Sequence, residues 1–344
     1  MLEPLTPDSY IQPMKYSYLF ALLFATSLYS QKEYPTIGTV ERLSDKISTL
    51  ISTDAKIEVL ATGFHWSEGP VWATHLQGVV FSDVPTNKAY LWTESDGLQV
   101  FLEPSGQTGY APSNRVTGSN GLAIDAQGNL ILCQHGDRRI AQLVSWEFEI
   151  PQYKTVVGKY QNQRFHSPND LAIDSKGQIY FTDPPYGLKD QDDDSLKELE
   201  ENGVYLWSPE NGTTLLDDSL HRPNGIALSL DEKILYVANS YANNPVIIAF
   251  DVQNGSVSNR RVFFDGTALS KNSENVGNFD GLKVHSSGNI FATGPGGVLV
   301  IDSEGAHLGT IRLDGKSAAN CGFGPDEKHL YITAQDILAR IDLL

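Results

Sequence analysis

A motif of about fifty residues recurs through this chain, and it restricts the possible folds more than any other feature. The copies read EGPVWATHLQGVVFSD from Glu68, NGLAIDAQGNLILCQ from Asn120, NDLAIDSKGQIYFTD from Asn169, NGIALSLDEKILYVAN from Asn224, DGLKVHSSGNIFATG from Asp280 and NCGFGPDEKHLYITA from Asn320. Their starts lie 52, 49, 55, 56 and 40 residues apart. Each copy opens on a polar residue, runs through a short apolar stretch, turns at a Gly-, Asp- or Ser-rich step, and continues into a second apolar stretch. Two apolar runs split by such a turn predict a β-hairpin. Further strand-like runs fall between copies, such as GVYLWSP from Gly203 and VIIAFDV from Val246, which gives about four strands per repeat. A lone four-stranded unit cannot bury both faces, but a radial array can. The six copies therefore predict an all-β fold, a six-bladed β-propeller with four-stranded antiparallel blades around a central channel.

Composition agrees with this reading. The 344 residues include Gly 30, Pro 17 and Tyr 15 but Met 2, which suits turns and strands better than a helical bundle. Helical periodicity is confined to Ser195–Glu201, inside an acidic stretch running from Asp190 to Glu201. No EF-hand spacing is present there, so a solvated insertion is expected. With Lys+Arg 25 against Asp+Glu 42, the net charge of −17 argues against nucleic acid as a partner.

The first residues differ from the rest. Lys15 precedes an apolar run from Tyr16 to about Tyr29, followed by Ser30 and Gln31. A positive residue, an apolar run and small residues resemble a secretory signal, with cleavage after Ser27 or Ser30 and Met14 as an alternative start. The expectation is a leader over residues 1–34, a single propeller domain over 35–344, and a secreted or periplasmic product. An uncleaved anchor is the alternative. No later segment is apolar enough to span a membrane, so no stable insertion is expected once the leader is removed. The two cysteines, Cys133 and Cys321, fall at different phases of the repeat and are expected to be free, buried thiols.

The informative position is the first of each copy: Glu68, Asn120, Asn169, Asn224, Asp280 and Asn320. Equivalent positions of successive blades ring one axis. Near the inner end of each blade, these side chains would converge on one end of the channel. Carboxylates and amides together offer oxygen ligands to a hard divalent cation. Asn or Asp before Gly also suits a positive-φ turn, which accounts for the amides without any ligand, though it accounts poorly for Glu68. Both readings stand on the residues alone. There is no GxSxG elbow and no HExxH, so neither serine-hydrolase nor zinc-protease chemistry is indicated.

Taken together, EGPVW, SNGLAID, HGDRRI, SPNDLAI, YFTDPPYGL, RPNGIALS, FDGLKV and GNIFATGPGGV resemble the gluconolactonase/regucalcin (senescence marker protein) family of six-bladed propellers, especially its bacterial gluconolactonase branch. The resemblance spans roughly residues 45–344. It implies one divalent metal ion in the channel, held by Glu68, Asn169, Asn224 and Asp280, with Ca²⁺ foremost and Mg²⁺, Mn²⁺ or Zn²⁺ as alternatives. It further implies hydrolysis of a small-molecule sugar lactone, with the metal polarising the carbonyl and Asp280 as the base that activates water. Asn120, His135, Arg138 and Tyr186 are the candidate substrate-binding residues. For His135 and Tyr186 a purely structural role is an equal alternative, and Arg138 or Arg139 is expected to pair with Asp137 at the surface. A phosphotriesterase resembling diisopropyl fluorophosphatase, and a non-enzymatic calcium-binding propeller, are the rival functions. A monomer or weak oligomer is expected.

Overall fold

The structure, a computed structural model, describes residues 32–344. The leader-like segment from Lys15 to Ser30 lies outside the described residues. Residues 34–344 form a propeller with six sheets in a ring. Blade 1 comprises Ser67–Ala73, Gly78–Asp83, Lys88–Thr93 and Gly97–Leu102, and blade 2 comprises Ser119–Ile124, Leu130–Gln134, Arg139–Leu143 and Tyr153–Val157. Blade 3 comprises Leu171–Ile173, Ile179–Asp183, Gly203–Ser208 and Gly212–Asp217. Blade 4 comprises Pro223–Leu228, Ile234–Asn239, Val246–Gln253 and Ser256–Asp265. Blade 5 runs through Leu282–Val284, Ile290–Gly294, Gly297–Ile301 and His307–Arg312, and Thr39–Arg42 adds a fifth strand at its edge. Blade 6 has Ala318–Phe323, His329–Ala334 and Ile337–Asp342, and its outer strand is Ile57–Thr62 from the other end of the chain. That pairing joins the two ends of the repeat array and leaves no open edge between blades 6 and 1.

The predicted hairpin turns form as their residues dictate. In blade 2 the Asp125 carboxylate accepts the backbone N–H groups of Gln127 and Asn129 at 3.0 and 2.8 Å. Asp174 does the same for Lys176 and Gln178 in blade 3, at 3.0 and 2.8 Å. Alternating side chains on each strand then fill the wedges between blades. Ile131, Cys133 and Ile140 of blade 2 meet Leu171, Ile179 and Phe181 of blade 3. Val80, Ala89 and Leu102 of blade 1 meet Leu122, Leu130 and Leu132 of blade 2. Leu60, Phe81, Trp92, Tyr331 and Leu338 seal blade 6 to blade 1. The core is thus a circle of apolar wedges, each worth roughly 1.5–3 kcal/mol per fully buried large aliphatic side chain. Cys133 and Cys321 are both free and buried, as expected. Among the described residues, no helix is long and apolar enough to cross a membrane.

The insertion from Asp190 to Glu201 is solvated along part of its length and anchored at three of its acids. Of its seven carboxylates, Asp190, Asp193, Glu200 and Glu201 are exposed and the other three are engaged. Asp192 pairs with Arg222, Glu198 with Arg164 at 3.2 Å and with Arg138 at 3.5 Å, and buried Asp194 accepts from Asn114 at 2.8 Å. The Arg residues that satisfy it are distant in sequence, so the pattern of acids alone could not reveal them.

Candidate active site

The inner strands of neighbouring blades touch along the axis, and this contact explains the Gly that follows four of the six ring residues, Glu68, Asn120, Asn224 and Asp280. A Cβ on Gly121 would stand 2.7 Å from the Asn169 carbonyl oxygen, and one on Gly225 would stand 2.1 Å from that of Asp280. Of the glycines following ring residues, Gly69 alone has a positive φ, +52°. Turn chemistry therefore does not account for the repeated Gly; crowding at the axis does. Backbone bonds join the blades at the same level, from Gly121 N–H to Asn169 at 2.8 Å and from Gly225 N–H to Asp280 at 3.0 Å. Hydroxyls from second strands add to them. Ser82 donates to the Asn120 carbonyl at 2.8 Å and Thr182 to that of Asn224 at 2.6 Å.

The loops leading into the ring are held by side chains at the ends of second strands. Asp83 accepts from the N–H groups of His65 and Trp66 at 3.1 and 2.9 Å, and Asp183 accepts from those of His166 and Ser167, both at 2.8 Å. Asn239 accepts from the N–H of Arg222 at 3.0 Å. These three sit at one phase of the repeat, in FSD, FTD and VAN, a signal present in the sequence.

Glu68, Asn120, Asn169, Asn224 and Asp280 line one cavity of about 650 Å³, together with His135 and Tyr186. Glu68, Asn120 and the other two amides are buried, while Asp280 is partly open to the cavity. Asn320, the sixth ring position, is not in its wall. It lies against Glu68 and Asp170, donating to them at 3.2 and 3.3 Å. Arg138 is also absent from the wall. Its Nε donates to the Phe165 carbonyl at 2.6 Å and it faces Glu198, so its role is to hold the chain ahead of the ring. Arg139 does pair with Asp137, at 3.0 Å, but the pair is buried rather than superficial. Asp137 also accepts the N–H groups of Thr108 and Tyr110 at 3.0 and 3.1 Å and so fixes a rim loop.

The donor set suits a hard cation. Among the described residues, no three His, Cys, Asp or Glu side chains form a metal-binding group. Here the oxygens come instead from two carboxylates and several amides. Asn120 Oδ1, Asn169 Oδ1 and Asn224 Oδ1 are buried without any hydrogen-bond partner. An unsatisfied buried carbonyl costs about 1–3 kcal/mol, so three on one cavity point to a ligand they face. Asn224 also hydrogen-bonds Asp280, which leaves its oxygen for the cavity. Burial and then the Asp170 charge push Glu68 up to about 7. Burial, followed by Glu68 and Asp170, pushes Asp280 well above the usual carboxylate range. Two carboxylates held together at this cost are what a cation relieves.

At the mouth, Ser167 positions the PPYG turn. Its hydroxyl donates to the Pro184 carbonyl at 2.6 Å and accepts the Gly187 N–H at 2.8 Å. Tyr186 then faces Ser240 and Asn224, and burial pushes its phenol up to about 12. His135 is held neutral by burial, with Arg115 adding to the effect, and its pKa falls to about 3. Its Nε2 is buried and unpartnered at the cavity wall.

The family model described as "SMP-30/Gluconolactonase/LRE-like region" matches residues 66–336. The chain belongs to this family. A gluconolactonase of Zymomonas mobilis is 35% identical over 310 residues, covering 89% of this chain and 86% of that protein. The regucalcin of Bos taurus is 26% identical over 290 residues, 81% of this chain and 86% of its own. A solved structure of a gluconolactonase from Xanthomonas campestris superposes with a TM-score of 0.77 at 30% identity, covering 91% of this chain and 99% of that one. Several wall residues of this SMP-30/gluconolactonase member carry no motif that marks them in the sequence. Arg115, Thr117, Asn278 and Ser317 reach the cavity from loops between blades, and Ser240 from the loop between the second and third strands of blade 4.

Proposed function

We propose that this protein hydrolyses a sugar lactone of the glucono-1,5-lactone kind to its aldonic acid, using one divalent cation. It is an enzyme, a gluconolactonase-type lactone hydrolase at the family level, and the cation and the mechanism are the further content of the proposal. The observation that carries it is the set of orphaned amide oxygens beside two repelling carboxylates on one cavity wall. Glu68, Asn169, Asn224 and Asp280 would hold the ion, with Ca²⁺ the best match to an all-oxygen set. Bound there, it supplies Lewis acidity at the lactone carbonyl. Asp280 takes a proton from the attacking water as the new C–O bond forms. It returns that proton to the ring oxygen as the ring C–O bond breaks. Asn120, neutral His135 and the Tyr186 hydroxyl orient the substrate. The hydroxyl and amide groups of Thr117, Ser240, Asn278 and Ser317 suit a polyhydroxy ligand better than an apolar phosphotriester. Export from the cytoplasm is also proposed, on the leader-like segment alone.

A pH-stat assay with glucono-1,5-lactone tests this reading. Acid release above the spontaneous rate is expected, lost on chelation with EDTA and restored by Ca²⁺. D280N is expected to fold and to lose at least 100-fold in kcat. Turnover that is indifferent to EDTA, or unchanged in D280N, would contradict the proposal.

A further inference from the structure

A second charged cluster lies beside the ring, and none of the chemistry above uses it. Asp170 follows the ring residue Asn169 and is fully buried, yet it does not line the cavity. The Lys283 ammonium stands 3.3 Å from Asp170 Oδ2 and donates to the Leu282 carbonyl at 3.1 Å and to Asn320 Oδ1 at 3.4 Å. Three oxygens of three kinds thus surround one nitrogen. Asn320 in turn donates to both Glu68 and Asp170. Its position is fixed by crowding, because a Cβ on Gly281 would stand 2.0 Å from Asn320 Cγ. Lys283 also borders a separate cavity of about 440 Å³, whose wall includes Val71, Trp72, Leu122 and Ile226 from the inner strands. Its ammonium therefore sits between that cavity and the ring.

The charges can be matched one to one. Glu68 and Asp280 balance one divalent ion. Asp170 is a third carboxylate, linked to Glu68 through the Asn320 amide at 3.3 and 3.2 Å, and Lys283 balances it. We propose that Lys283 is a built-in cation of the channel: its ammonium fills, in a cage of Asp170, Asn320 and Leu282 oxygens, the place a second metal ion would take, and so limits the site to one ion. Without that ammonium, Asp170 is left buried and unpaired beside amide and carbonyl oxygens, an arrangement that attracts a small cation strongly. Lys283 acts as a positioning residue here, because it touches neither the wall of the substrate cavity nor Asp280.

This inference rests on the reading that the ring binds a divalent ion, and calorimetric Ca²⁺ titration of the metal-stripped protein separates the two. The wild-type protein is expected to bind one equivalent and K283M two. Should K283M fold poorly, the double variant D170N/K283M removes both charges. It is expected to bind one equivalent with a Kd within about threefold of the wild-type value. One equivalent in K283M with an unchanged Kd would overturn the role of Lys283 and leave the metal reading intact. A second equivalent in the wild-type protein or in the double variant would also overturn it. No binding by the wild-type protein would overturn the metal reading itself.

Discussion

His135 shows how a single residue is tuned by its surroundings. An imidazole ordinarily titrates near 6.5, but burial drives this one down to about 3 in the folded protein. Between those two values the unfolded chain takes up a proton that the folded protein refuses. Stability therefore rises with pH through that window and is lost as pH falls, at up to about 1.4 kcal/mol per pH unit. Replacing His135 with Gln removes this dependence. The stability gap between wild type and H135Q, measured from urea midpoints at pH 6.5 and 4.5, is expected to shift in the variant's favour by roughly 2–3 kcal/mol. A gap that stays constant would mean that His135 is protonated in the fold. The same neutrality would suit the proposed cation, because a neutral ring beside it adds no repulsion. The sequence marked His135 and Tyr186 through their motifs, and both reach the cavity wall. Arg138 carried an equally strong motif, yet it turns away toward Phe165 and Glu198. Side-chain direction at the end of a strand depends on partners contributed by other blades, and spacing along one repeat does not encode it.

At the scale of the element, the unit of construction is an inner strand latched to the next blade. Thr182 is a clear case, since its hydroxyl reaches the carbonyl of Asn224 across the blade boundary at 2.6 Å. T182V keeps the shape and removes the donor. It is expected to cost about 1–3 kcal/mol, because the buried carbonyl loses a partner, and denaturant unfolding at neutral pH measures this. A loss below about 0.5 kcal/mol would show that water satisfies the Asn224 carbonyl without the hydroxyl. The hairpins were legible because their pattern is local: alternating apolar residues, with Asp and Gly at the turn. The reason for Gly after four of the six ring residues was not legible. Positive φ and axial crowding select the same residue, and only the packed ring shows that the neighbouring blade decides it at Gly121, Gly225 and Gly281. The anchoring of Asp192 and Glu198 within the acidic stretch was not legible for a related reason, since their partners Arg138, Arg164 and Arg222 come from elsewhere in the chain.

At the scale of the whole molecule, closing the ring turns a repeat into a site. A sixfold motif places one polar residue per blade at the axis, and the differences among those residues make the site specific. Asn320 at the sixth position stays with Asp170 and Lys283 instead of facing the cavity. The strand Ile57–Thr62 completes blade 6 by pairing with Ile337–Asp342, so both ends of the propeller help hold Asn320 and Glu68 in register. The net charge of −17 is mostly unrelated to the site. A crystal of the protein grown with Ca²⁺ and measured for anomalous scattering tests the central claim most directly. The account predicts one strong peak in the cavity, with oxygens of Glu68, Asn169, Asn224 and Asp280 about 2.3–2.6 Å from it. A cavity without a peak, or an ion bound instead among the carboxylates of residues 190–201, would contradict it.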